Sequence, residues 1–593
     1  MTEYFEVLSR DGAARVAELR LADPLATPAL VDDVVADAGG LWPEHRDVPE
    51  GSDDELTVLP HRGLPAGTAD EVAESFAVDY PDVDYPSAAV VNSEHVEACG
   101  ADAYALSDVQ GFLGHARGLK DAVLRAKDAI PEDAALYLSG AATPRNVAVL
   151  AYAGVDLFDA DRAAALGAQG RYLTTDENHF LEDLDELPCA CEACRQPRDE
   201  FDRRDCVDHN VAVLEAELKR VRGRIRDGRL RDYVEGQARQ DQWLTALVRE
   251  LDQQYGYLEA RTPIYRNAHM DATTEDTLNR VEIQRFAQRV TERYRNRFDA
   301  PLVLVPCSAT KPYSESQSHY QFREVIQYRA HVASITSPIG VVPQELELTY
   351  PAQHYDTVVT GEWTDGEVAF VAEVLERYLA SNDYPRVIAH VPEDYREIVE
   401  RALADHPDLD VEFTVADHPT TDESLANLGR ALDGERAYGK RERQRNTVRA
   451  LADYQFGAGA GDDLFGDFTV TSRYPKLQVR ADEPPTAGDD QNAAPQLATM
   501  VPNYGTLSFT LRGARRWLDS AVPAKRVEID AFVPHGSVLA PGVVDADDDI
   551  RGGDEVVVEG PKAFAVGRAQ TNGAAMVEAT RGEACTVRHV EER

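Results

Sequence analysis

Short apolar runs alternate with longer amphipathic stretches along this chain, and the rhythm changes from one region to the next. In residues 1–180, runs such as Ala88-Ala89-Val90-Val91-Asn92 and Ala135-Leu136-Tyr137-Leu138-Ser139-Gly140 are bounded by turn residues and separated by helical patterns at 109–129 and 142–153. A repeated strand–helix unit predicts a barrel or an open parallel sheet. Residues 207–300 carry helical periodicity rich in charge, as in 211–226 and 279–298.

A new α/β unit opens at Ala300. Pro301-Leu302-Val303-Leu304-Val305-Pro306 reads as a fully buried strand, with further strands expected at 339–343, 386–391 and 411–415 and amphipathic helices at 367–379 and 394–405. After the basic run Lys440-Arg441-Glu442-Arg443-Gln444-Arg445, the Pro/Gly/Asp-rich stretch 481–495 predicts a loop or linker. From Arg526 onward, short strands and glycine-rich turns predict a small β-barrel. The fold class expected is thus multidomain α/β, with domains at 1–270, 280–445, 450–524 and 525–593.

Length supports several domains, since 593 residues exceed what one core holds. No run of eighteen apolar residues is present, and Met1-Thr2-Glu3-Tyr4-Phe5-Glu6 lacks a basic region followed by an apolar one. A soluble cytoplasmic protein with no membrane partner is expected. Charge changes the picture more: 61 basic against 105 acidic residues give a net charge of −44. Acids spread along the whole chain, with lysine much rarer than arginine, suit a halophile's cytoplasm at multimolar salt, where surface repulsion is screened. Such a coat does not exclude nucleic acid, because a local basic patch still meets phosphate.

Seven cysteines are present, four of them between 189 and 206, which is no disulfide framework. Cys189-Ala190-Cys191-Glu192-Ala193-Cys194 is followed by His209, and three thiolates with one imidazole complete a tetrahedral structural Zn2+ shell. Cys206 is an alternative fourth ligand. This pattern resembles the zinc site of the tRNA-guanine transglycosylase family, and Gly154-Val155-Asp156-Leu157-Phe158-Asp159 resembles that family's nucleophile segment. The resemblance runs from about residue 57 to 266 and would put the nucleophile at Asp159. The family's Asp-Ser-Gly-Gly-Phe base-recognition motif is absent, however, and too few residues precede Gly154 for a complete barrel. The expectation is a truncated (β/α) barrel in which Asp159 caps or pairs structurally.

Gly536 to Val543, Ile550-Arg551-Gly552-Gly553-Asp554-Glu555-Val556 and the segments at 565–569 and 582–589 resemble the PUA domain, a small RNA-binding barrel. Arg551, Lys562, Arg568, Arg581 and Arg588 gather positive charge there, consistent with RNA. Residues 454–524 resemble the region joining body to PUA in archaeal transglycosylases.

The densest chemistry follows the strand at 301–306. Pro306-Cys307-Ser308-Ala309-Thr310-Lys311-Pro312-Tyr313 continues through Ser314 and Ser316 to His319. Ligands of α/β folds gather at the carboxyl ends of strands, and Lys311 and His319 could both favour a Cys307 thiolate. Cys307, Lys311, Tyr313, Ser316 and His319 are the candidate catalytic residues. Glu345, Glu347 and Asp356 are candidates to bind an amine.

Pro-Cys, three residues, Lys-Pro-Tyr, then a serine and a histidine resembles the signature of the archaeosine synthase family. That resemblance implies addition of an amine to the nitrile of 7-cyano-7-deazaguanine at position 15 of tRNA. The donor implied is lysine, or glutamine, and the partners are tRNA and a radical-SAM protein; a homodimer is allowed. In chemical terms, Cys307 could form a thioimidate while His319 passes a proton to the imide nitrogen. Competing readings are an active transglycosylase that exchanges the base and a non-catalytic tRNA-binding subunit.

Overall fold

The computed structural model describes residues 3–39, 50–61, 68–75, 80–358, 362–482 and 494–593. Most of the loop expected at 481–495 falls outside the described residues. The chain forms two compact units, one of residues 1–263, 537–552 and 570–585, the other of 264–536, 553–569 and 586–593. Among the described residues no helix is long and apolar enough to cross a membrane.

The first unit opens with a small antiparallel sheet, Phe5–Asp11, Ala14–Leu19 and Leu25–Thr27, where the sequence pattern suggested only strand–helix repeats. Next comes a seven-stranded sheet in the order Ala29–Leu30, Leu157–Phe158, Ala135–Leu138, Ala103–Leu106, Ser87–Val91, Leu56–Val58, Val35–Asp37. Its neighbours all run parallel. Among the described residues its end strands do not pair with each other, so this sheet is an open half-barrel. The helix expected at 109–129 is interrupted: a short 3₁₀ turn, Val109–Phe112, precedes the helix Ala116–Ala129. Gly114 between them has a positive φ of 89°, which a helix cannot contain.

The long helix Arg203–Arg226 starts eight residues earlier than its periodicity suggests. Asp202 and Asp205 make a reciprocal capping box there, supplying the amide partners that start the helix. Arg15 and Asp156 form a buried ion pair. Arg15 Nε donates to Asp156 Oδ1 at 3.1 Å, Arg15 Nη2 donates to the Ala134 carbonyl at 2.8 Å, and Asp156 Oδ2 accepts from the Leu136 amide at 2.9 Å.

In the second unit, five strands lie in the order Gly340–Pro343, His331–Thr336, Leu302–Pro306, Val387–Ala389, Val411–Phe413. All pairs are parallel except the first. Leu302, Val303, Leu304 and Val305 are fully buried at the sheet's centre, as an unbroken apolar run requires when both faces are covered. Helices Val281–Glu292 and Asp365–Ala380 contribute to the large core on one face, and helices Gln317–Ile326 and Asp422–Ala431 cover the other. Met270–Ala272 pairs in parallel with Tyr355–Thr357, a two-stranded element too short to stand out in the sequence. The unit continues with helix Lys440–Phe456, a four-stranded antiparallel sheet between 468 and 509, and helix Leu511–Asp519.

Removing one partner of the Arg15–Asp156 pair strands a buried charge, which costs roughly 3–5 kcal/mol. Asp156→Ala is therefore expected to lower the unfolding transition of the first unit by that amount in urea titration, while Asp227→Ala, on a surface turn, moves it by less than about 0.5 kcal/mol.

Candidate active site and metal centre

Cys307 stands one residue beyond the central strand, half-buried, with Sγ 3.6 Å from the Tyr395 hydroxyl. Tyr395 follows the neighbouring parallel strand Val387–Ala389, so two strand ends supply the thiol and its hydroxyl partner. The Trp363 ring meets Tyr395 edge-on at 4.8 Å between centroids. Burial, reinforced by the nearby Cys307, raises the Tyr395 hydroxyl far above the usual tyrosine range, so it stays protonated.

Lys311 returns towards the same thiol. Its Nζ lies 4.0 Å above the centre of the Tyr355 ring and 3.7 Å from Asp356 Oδ1. Burial lowers the Lys311 pKa, while Asp356 and then Cys307 pull it back up. Tyr313 is buried beneath the loop, its hydroxyl 2.7 Å from that of Tyr355, which lies 2.7 Å from Thr336 Oγ1. This chain of hydroxyls fixes the Tyr355 ring that carries the lysine.

His319 has a different position from the one expected of a proton donor. Its Nε2 donates to the Pro306 carbonyl at 3.0 Å, and its ring stacks on Tyr313 at 5.2 Å. Burial drives its pKa down to about 4, so the ring is neutral near pH 7. In this structure His319 thus holds the carbonyl just before Cys307. Ser316 accepts from the His319 amide at 3.2 Å and caps helix Gln317–Ile326.

The three acids separate. Asp356 is exposed beside Lys311. Glu345 is buried, 3.0 Å from His331 Nε2 and 3.4 Å from the Tyr294 hydroxyl; burial opposes its charge, but His331 outweighs this and lowers its pKa. Glu347 accepts from the Ser314 amide at 2.9 Å and the Tyr474 hydroxyl at 3.0 Å, and burial raises its pKa. Glu345, Glu347 and His319 line a cavity of about 410 Å³ whose lining does not include Cys307 or Lys311.

Sequence reasoning missed Tyr395, Tyr355 and Trp363. The available signal was position: Glu393-Asp394-Tyr395 follows the strand adjacent to the one bearing Cys307, where parallel sheets collect ligands.

In the first unit, one ligand atom each from Cys189, Cys191, Cys194 and His209 lie within 4.8 Å of one another. His209 Nδ1 is 3.3 Å from Cys194 Sγ, and its Nε2 donates to the Leu173 carbonyl at 2.9 Å, which leaves Nδ1 as the ligating atom. Tyr172 stacks on the imidazole at 3.7 Å. Cys206, the alternative ligand, instead directs Sγ to the Arg171 carbonyl at 3.3 Å. The donor set fits a closed structural metal site.

Asp159 is buried and saturated, accepting from the Tyr137 hydroxyl and the Gly140 amide at 2.9 Å and the Asp161 amide at 3.3 Å. Those contacts give it a structural role. Towards the carboxyl terminus, the five cationic residues expected to meet RNA have different surroundings. Arg551 pairs with Glu259 at 2.8 Å, Arg568 donates to the Tyr265 hydroxyl at 2.8 Å, and Arg588 pairs with Glu555, while Lys562 and Arg581 are exposed.

With this geometry in view, comparison with known proteins is decisive. Over the full length of both chains, this one is 66% identical to archaeosine synthase of Haloferax volcanii. The chain belongs to the archaeosine synthase family. It is also 39% identical, again over both whole chains, to archaeosine synthase subunit alpha of Methanosarcina acetivorans. A tRNA-guanine(15) transglycosylase of Methanothermobacter thermautotrophicus is 28% identical over 80% of this chain and 68% of that one.

Family models divide this archaeosine synthase relative into four parts. Residues 90–242 match queuine tRNA-ribosyltransferase, 446–523 the patch-forming domain C2 of tRNA-guanine transglycosylase, and 525–590 the PUA domain. Residues 283–432, which carry Cys307, Lys311 and Tyr395, match a domain of unknown function, DUF5591. Together these findings support a tRNA-modifying transferase with tRNA as substrate.

Elemental analysis of purified protein is expected to find one divalent metal ion per chain, lost in Cys194→Ala and retained in Cys206→Ala. For His319, the unfolded ring titrates near about 6.5 and the folded one near about 4. The unfolded state therefore takes up the proton first as pH falls, and the neutral ring's contribution is full above about 6.5 and lost between there and 4. Urea midpoints across pH are expected to show the advantage of wild type over His319→Leu constant above pH 7 and shrinking below 6.5.

Proposed function

We propose that this chain adds the amine of a free amino acid, lysine or alternatively glutamine, to the nitrile of 7-cyano-7-deazaguanine at position 15 of tRNA. The observation that carries this reading is the Cys307 thiol against a protonated tyrosine at the ends of two adjacent strands, with the half-buried Lys311 near enough to feel its charge. A nitrile resists direct attack by an amine at neutral pH, and a thiolate with a nearby acid removes that obstacle.

The Cys307 thiolate attacks the nitrile carbon, forming the C–S bond, and the displaced π pair takes a proton from Lys311 at nitrogen. The donor amine then attacks the thioimidate carbon; the C–S bond breaks, Cys307 leaves as thiolate, and the amine's surplus proton returns to Lys311. One N–H has added across the C≡N bond with no redox change. Burial weakens Lys311's hold on its proton and so makes it a readier acid, while Asp356 and the Tyr355 ring keep it aimed. Tyr395 hydrogen-bonds the sulfur in both states. His319 and Ser316 act on the position of the loop.

Zinc is the ion we assign to the Cys189, Cys191, Cys194 and His209 site, where it would brace the first unit and take no part in these steps. A radical-SAM protein that cleaves the lysine adduct to the amidine is the partner this reading calls for.

The test is one assay with purified protein, nitrile-bearing tRNA and separate amino acids, read by nucleoside mass analysis. Lysine is expected to yield an adduct of nucleoside plus intact amino acid. Cys307→Ala is expected to lower turnover by on the order of 10³-fold or more. Omitting the donor should leave a tRNA-linked Cys307 peptide detectable by mass spectrometry. Undiminished turnover by Cys307→Ala would sink the covalent route, and exchange of labelled guanine without nitrile addition would favour base exchange instead.

A further inference from the structure

The cavity beside the catalytic loop is bordered by charges of both signs, none of them ion-paired with another across it, although Arg323 lies near enough to Glu347 to favour its charged form. It measures about 410 Å³, and His319 and Ser314 of the loop form part of its wall. Glu345 and Glu347 line it, as do Arg323, Lys440 and Arg443. A chain with 105 acidic residues offers its guanidinium groups many potential carboxylate partners. Yet among the described residues no carboxylate lies within 4.0 Å of Arg323, Lys440 or Arg443, and Glu347 has no cation within that distance.

Arg443 is held rather than idle. Its guanidinium carbon lies 3.4 Å above the centre of the Tyr328 ring, and its buried Nε has no hydrogen-bond partner among the described residues. Gln327 takes a positive φ of 50° as the left-handed cap that ends helix Gln317–Ile326, and Tyr328 follows at 62°, which brings its ring there. Consecutive left-handed residues are uncommon and persist where their surroundings enforce them, often at ligand clamps. Glu347 has accepting capacity beyond its two neutral donors, because an ionised carboxylate offers about four lone-pair sites. Between the charges, Phe322, Ile326 and Val332 give the cavity an apolar wall.

Three cations alone would suit a phosphate, but two carboxylates in the same cavity repel one. Separated charges of both signs flanking an apolar wall match a zwitterion with an aliphatic stem. We propose that this cavity binds the amine donor as a long-chain α-amino acid, its carboxylate on Arg443 with Arg323 and Lys440, and an ammonium on Glu347. The assignment rests on the amine-addition reading above and gives its second substrate a place. Burial already pushes the Glu347 carboxyl towards its neutral form, and an incoming ammonium would restore its charge.

The test varies lysine against the full-length protein and nitrile-bearing tRNA. Arg443→Met and Glu347→Gln are each expected to raise KM for lysine by roughly tenfold or more, the scale of one charge-assisted contact, with a smaller change in kcat and no change in KM for tRNA. Arg443→Lys should recover part of the loss. Cadaverine, which lacks the carboxylate, should be a poor donor whose KM does not respond to Arg443→Met. Unchanged lysine KM in both variants overturns the proposal, as does a rise in KM for tRNA alone, which would turn the cavity over to RNA. Should wild type make no adduct with any donor, the amine-addition reading fails. The cavity assignment is then judged by calorimetry with lysine: binding that Arg443→Met weakens upholds a lysine site, and no binding with or without tRNA ends it.

Discussion

The second unit depends on burying one strand completely. Leu302 to Val305 have no solvent on either face and pair with parallel strands on both sides, so the chain can leave the core only at Pro306. The last carbonyl of that strand still needs a donor, and His319 supplies it from the first turn of the next helix. The loop between them is thereby closed at both ends, and Cys307, adjacent to the anchored carbonyl, has little freedom to move. Tyr395 and the Tyr355-borne Lys311 then approach a thiol whose place is already fixed.

Much of this was legible in the sequence because the signals are local. An unbroken apolar run marks a strand covered on both faces, and a cysteine one residue past it marks a strand-end site. The metal cluster was legible for the same reason: its ligands span 189–209, and cysteines so closely spaced have few other uses. Ser316, three residues before the amide it accepts from, carries a local N-cap signature of the same kind.

What was not legible involves partners distant in sequence or the choice between two atoms of one side chain. Tyr395 lies 88 residues from Cys307, and Tyr474 lies 127 from Glu347, so no periodicity connects them. For His319 the residue type was readable, but the direction of its Nε2–H towards the Pro306 carbonyl was not. The acids Glu345, Glu347 and Asp356 look alike in a polar stretch; tertiary structure sends one to a histidine, one to an amide and a tyrosine, and one to a lysine. Single local breaks, such as Gly114 within an otherwise helical pattern, shift element boundaries for equally specific backbone reasons.

The arginines near the carboxyl terminus carry a consequence for recognition. Arg551, Arg568 and Arg588 are each occupied by a glutamate or a tyrosine of the protein itself. A cation already paired with a carboxylate of its own protein, as Arg551 and Arg588 are, displaces few condensed counterions when it meets a phosphate, and the dependence of affinity on salt scales with the ions displaced. Any phosphate contact through Arg551 or Arg588 therefore carries less salt dependence than one through the exposed Lys562 or Arg581.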